Sequence, residues 1–105
     1  MAQQFVESRI SFDKVVLFIK PTCPFCISAQ KVLNKYQFKA GRLQIHDITS
    51  HPEASSVQDY LQQKTGARTV PRVFIGEKCI GGGSDVEQLE RSGKLKDMLH
   101  NIAAI

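Results

Sequence analysis

Five consecutive apolar residues, Val15-Val16-Leu17-Phe18-Ile19, run directly into Lys20-Pro21-Thr22-Cys23-Pro24-Phe25-Cys26, and this junction restricts the possible folds more than any other stretch of the chain. A short unbroken apolar run bounded by turn residues reads as a buried strand. The segment after the turn, Ile27 to Tyr36, carries apolar residues at helical spacing, with Ala29, Val32, Leu33 and Tyr36 on the face to be buried. Ala40-Gly41 breaks that helix, and Leu43 to Ile48 then alternates apolar and polar as a second strand does. Strand, helix and strand at this length make a βαβ unit, whose two strands run parallel.

The turn puts Cys23 at the N-terminal end of the helix and Cys26 one turn further in. A thiol at a helix start lies beside unpaired backbone N–H groups and the positive end of the helix dipole, and both favour its thiolate. Pro24 suits the first helical turn, where its missing N–H costs nothing. Lys20 adds a cation just upstream. An activated cysteine with a second thiol in reach points to thiol–disulfide chemistry, with Cys23 as nucleophile and Cys26, deeper and harder to ionise, as its partner.

The remainder of the chain completes the sheet. Phe5 to Ile10 has the spacing of a short opening helix. Ser50-His51-Pro52-Glu53 carries a capping-box pattern before a helix over roughly Glu53 to Lys64, which Thr65-Gly66 ends. Val70 to Ile75 supplies a third strand, and Gly76-Glu77 a tight turn into Lys78-Cys79-Ile80. Gly81-Gly82-Gly83 reads as a flexible break, and Ser84-Asp85-Val86-Glu87 as a second capping box opening a helix to about Arg91. A last amphipathic helix spans Lys94 to Ile102. The order αβαβαββαα predicts an α/β chain with a four-stranded mixed β-sheet flanked by helices on both faces. A Cys-x-x-Cys beside a βαβ pattern is the redox signature of the thioredoxin-like fold.

Composition narrows the setting. With 105 residues and a net charge of +4, the chain is long enough for one domain, residues 1–105, and only mildly basic. No basic stripe with interleaved aromatics suggests nucleic-acid binding, and no apolar run approaches a membrane span. Three cysteines without a visible secretion signal argue for a reducing compartment, most simply the cytosol, rather than for a disulfide framework. The three histidines are scattered and suggest no metal site, and zinc would need a second ligand pair that the spacing does not offer. No heptad or spare apolar helix face calls for a second chain, so a monomer is expected.

Cys23-Pro24-Phe25-Cys26, Thr69-Val70-Pro71 and Gly81-Gly82-Gly83-Ser84-Asp85, in this order and spacing, resemble a dithiol glutaredoxin of the vertebrate cytosolic type. The likeness covers essentially the whole chain, including Gln62 to Arg68. It implies a glutathione-dependent thiol–disulfide oxidoreductase that reduces glutathionylated and disulfide-containing proteins, with glutathione as co-substrate and no metal. It further implies a cis bond before Pro71, facing the cysteines, and a Thr69-Val70 backbone free to pair with an extended thiol peptide. By family position the γ-glutamyl end of glutathione falls to Ser84 and Asp85, and the glycyl carboxylate to Lys20 and Gln58, with Arg68 as a helper. Phe25 stands where the family commonly has tyrosine, and Gly83 where some relatives carry another cysteine.

Three other readings compete. A thioredoxin would have Gly-Pro between the cysteines and usually a tryptophan before them, and this chain has no tryptophan. An iron–sulfur carrier of the same family generally has a smaller residue than Pro24. A silent binding module would not need the full reactive set. Taken alone, Ser84-Asp85-Glu87 is a plain helix cap, Lys20 a solvated lysine, Gln58 an exposed helix residue and Cys79 a small buried hydrophobe.

Overall fold

In the computed structural model, which describes residues 2–105, the elements are α1 (Ala2–Arg9), β1 (Val15–Ile19), α2 (Pro24–Leu33), β2 (Leu43–Asp47), α3 (Ala54–Thr65), β3 (Arg72–Ile75), β4 (Lys78–Gly81), α4 (Gly83–Arg91) and α5 (Lys94–Asn101). The strands form one sheet in the order β2-β1-β3-β4. β1 runs parallel to β2, with Leu17 opposite Ile45, and antiparallel to β3, with Val15 opposite Ile75. β4 closes the far edge as a hairpin with β3, with a register shift at Val73/Phe74. The mixed sheet predicted from the element order is the one observed.

β1 has a neighbour on each side and helices above and below, so all five of its residues are buried. Alternation along the strand splits them between two cores. Val15, Leu17 and Ile19 pack with Cys26, Ala29 and Leu33 of α2, Val86 of α4, and Leu95 and Leu99 of α5. Val16 and Phe18 face the other way, onto Val6 of α1, Val57 and Leu61 of α3, and Phe74. None of the helices among the described residues is long and apolar enough to cross a membrane.

Several boundaries differ from the sequence reading, each for a local reason. α2 ends at Leu33 rather than Tyr36, because Asn34 turns the chain and the Tyr36 N–H bonds to the Leu33 carbonyl at 3.1 Å. The Tyr36 hydroxyl then donates to Glu90 of α4. The Ser50–Glu53 capping box does not form. Asp47 instead caps a single 3₁₀ turn over Ile48–Ser50, accepting the Thr49 N–H at 2.8 Å, and the Ser50 hydroxyl donates back to the Asp47 carbonyl. β3 begins at Arg72 rather than Val70, after the Val70–Pro71 bond, which is cis.

Candidate active site

The reactive end of the molecule is assembled where β1 stops. Cys23 occupies the N-cap position of α2 in an extended conformation, with Pro24 opening the helix. From there its thiol reaches across to the loop before β3, 3.5 Å from the Val70 carbonyl. Cys26 lies one turn on, fully buried in the core beneath. Both are free thiols.

Their surroundings push them apart in acidity. Burial works against ionisation of Cys23, but the Cys26 backbone N–H, the Cys26 thiol, the Phe25 N–H and the Lys20 charge together outweigh it, and its pKa falls below the ordinary thiol value. Burial pushes the Cys26 thiol up to about 11, with the neighbouring Cys23 adding to the rise and Lys20 opposing it. The difference follows directly from position: the helix-start N–H groups point at the first cysteine, while the second faces the core.

Beside Cys23 a groove of about 320 Å³ runs between α2, the Thr69–Pro71 loop and the start of α4. Six of the ten predicted site residues line it: Phe25, Thr69, Val70, Pro71, Ser84 and Asp85. No backbone hydrogen bond among the described residues uses the Thr69 or Val70 N–H. Phe25 is 61% exposed, so its ring forms an open wall. Lys20 and Gln58 do not line the groove. Lys20 stands at the end of β1, electrostatically coupled to both cysteines. Gln58 is a buried residue of α3, not an exposed one, and its amide donates to the Arg68 carbonyl at 3.1 Å. The Arg68 guanidinium is engaged elsewhere, with Asp59 at 3.1 Å and with Ser55.

The triple glycine is built into the groove wall rather than being a flexible break. Gly81 closes β4 at φ +114°, and a Cβ there would collide with the Asp85 carboxylate. Gly83, already helical, comes so close to α2 that a Cβ would stand 2.8 Å from the Phe25 carbonyl. The cap of α4 also sits two residues earlier than predicted. Gly82 is the N-cap, and its N–H is bonded by Asp85 Oδ2 at 2.8 Å, so Asp85 takes the part expected of Glu87. One groove residue escaped the sequence reading, Arg72, which is 8% exposed and donates from Nε to the Pro71 carbonyl at 3.2 Å. Its signal was a charged residue inside an otherwise apolar strand. Among the described residues no group of three or more His, Cys, Asp or Glu side chains is placed to hold a metal ion.

The glutaredoxin family model matches residues 15–80. Glutaredoxin-1 of Sus scrofa is 54% identical over 105 residues, covering 100% of this chain and 99% of that protein. The chain belongs to the glutaredoxin family. Glutaredoxin-1 of Homo sapiens is also 54% identical over 105 residues, covering 100% of this chain and 99% of its own length. Among solved structures, a buckwheat glutaredoxin–glutathione complex aligns with a TM-score of 0.91 at 34% identity, over 100% of this chain and 93% of that one. Oxidised glutaredoxin 2 from Chlamydomonas reinhardtii aligns with a TM-score of 0.90 at 32% identity, over 99% and 95%. This glutaredoxin therefore has the thioredoxin-like fold of its family. It is a glutathione-dependent thiol–disulfide oxidoreductase.

Proposed function

We propose that this glutaredoxin reduces protein–glutathione mixed disulfides through Cys23 alone and protein disulfides through Cys23 and Cys26 together. The observation that carries the division of labour is the opposed acidity of the two thiols, Cys23 lowered and Cys26 raised to about 11. In the first route the Cys23 thiolate attacks the glutathione sulfur, the substrate S–S bond breaks, and the protein leaves as its thiolate. A second glutathione thiolate then attacks the Cys23–glutathione bond, giving glutathione disulfide and returning Cys23 to the thiolate. In the second route Cys26 displaces the reduced substrate from Cys23, and two glutathiones later reduce the Cys23–Cys26 bond.

Glutathione lies along the groove in this reading. The Thr69 and Val70 backbone pairs with it as an added strand, beside Pro71 and under the Phe25 ring. Its γ-glutamyl carboxylate takes the backbone N–H groups of Ser84 and Asp85 at the start of α4, and the Asp85 carboxylate faces its ammonium. The glycyl carboxylate meets Lys20, with Gln58 offering the amide hydrogen not used on Arg68. The protein substrates approach over the exposed Phe25 side, with the enzyme working as a monomer in the cytosol.

The test is turnover of a small glutathione mixed disulfide with glutathione, NADPH and glutathione reductase. Cys23→Ser should abolish NADPH oxidation and Cys26→Ser should preserve it. A Cys26→Ser protein that is folded but inactive on mixed disulfides would overturn the assignment.

A further inference from the structure

Arg72 brings a positive charge into the groove without an ion-pair partner. Its guanidinium spends one hydrogen bond, Nε to the Pro71 carbonyl, and takes part in none of the ion pairs among the described residues. Asp85, the one carboxylate lining the groove among the described residues, forms no ion pair with Arg72 and places one oxygen on the Gly82 N–H. Gly82 makes room for the arginine, since a Cβ there would stand 3.1 Å from Nη2. The terminal N–H groups of Arg72 thus lie alongside the first residues of α4, where the helix dipole is itself positive. The residue as a whole is 8% exposed, yet its unbonded terminal nitrogens are not sealed from solvent, so the charge lies beside a helix N-terminus within reach of a ligand. An incoming anion would meet the guanidinium and the positive helix start together.

We propose that Arg72 is a specificity-determining residue that selects a carboxylate on the ligand at the start of α4. Resting on the glutathione reading above, that group is the α-carboxylate of the γ-glutamyl residue. The backbone N–H groups of Ser84 and Asp85 give it direction, and Arg72 gives the site its preference for charge. Arginine suits this task because its planar fork serves the Pro71 carbonyl with one N–H and leaves four for the groove.

The experiment compares two small mixed disulfides, one with glutathione and one with glutathione whose γ-glutamyl α-carboxylate is a carboxamide. The wild-type protein should show a KM about tenfold lower for the charged substrate, as expected for a charge-assisted hydrogen bond. In Arg72→Gln that preference should collapse towards unity with kcat little changed, and in Arg72→Lys most of it should remain. If KM rises equally for both substrates in Arg72→Gln, the residue merely supports the Pro71 loop and the proposal fails. If Arg72→Gln does not fold, Arg72→Lys decides, because it keeps the charge and alters the Nε contact; loss of the preference there overturns the proposal. Wild-type protein that uses both substrates equally well removes the proposal and leaves the glutathione reading standing. Protein inert to both removes the reading, and the proposal with it.

Discussion

Cys23 and Cys26 are three positions apart on one helix, yet their environments drive them in opposite directions, and each direction has a measurable consequence. Cys23 is held low in spite of burial, by the N–H groups of Cys26 and Phe25, the Cys26 thiol and the Lys20 charge. Alkylation by iodoacetamide should therefore modify Cys23 selectively at neutral pH. In Lys20→Gln the midpoint of its rate against pH should move upward. Cys26 is the reverse case. Its thiol titrates near 11 in the folded protein against 9.0 for an ordinary cysteine, so the unfolded chain releases this proton first as pH rises. The stabilisation it confers is whole below pH 9 and is lost between 9 and about 11. Urea unfolding of the reduced protein across that window should show a fall in midpoint that Cys26→Ala flattens.

At the scale of elements, the start of α4 is the most tightly specified junction. Gly83 is held against α2 by an approach that leaves no space for a Cβ, 2.8 Å from the Phe25 carbonyl. Gly83→Ala should therefore cost about 1–3 kcal/mol by urea unfolding, the range for overpacking, and should weaken glutathione binding by displacing Phe25. Asp85→Asn keeps the shape of the cap and removes its charge from the helix N-terminus. It should cost about 0.3–1 kcal/mol in stability while raising the KM for glutathione. The same junction shows what the chain did and did not disclose. The helix after Gly81-Gly82-Gly83 was legible from its capping signature, but the cap was misplaced because Ser84…Glu87 and Gly82…Asp85 offer the same spacing two residues apart. Asp47 and Ser50 compete in the same way before α3. Arg72 was missed for a different reason: its burial depends on Gly82, a contact across the hairpin that no local pattern encodes. The cysteines themselves were legible because strand, turn proline and helix all agreed on where Cys23 must sit.

For the whole molecule, the sheet separates two packed layers that answer to different demands. The layer of α2, α4 and α5 contains Cys26 and supports the groove. The layer of α1 and α3 is held by Phe18 and Phe74, whose rings meet edge to face at 5.9 Å. Phe74→Ala should cost about 3–5 kcal/mol in unfolding free energy. That is a large share of the 5–15 kcal/mol a domain of this kind typically holds. Because Phe74 faces away from the α2 layer, the pH midpoint for Cys23 alkylation should stay where it is in the folded fraction. The two measurements together would show whether stability and thiol activation are carried by separate layers.

β1 gives this arrangement a dimension in time. It is paired on both edges and covered on both faces, and the nucleophile hangs a few residues beyond its end. Segments so enclosed open only when the whole protein does. The amides of Val16, Leu17 and Phe18 should thus be the last to exchange with deuterium in the reduced protein and in the oxidised protein alike. Electrons would then pass through this protein many times within the lifetime of a single one of those protons.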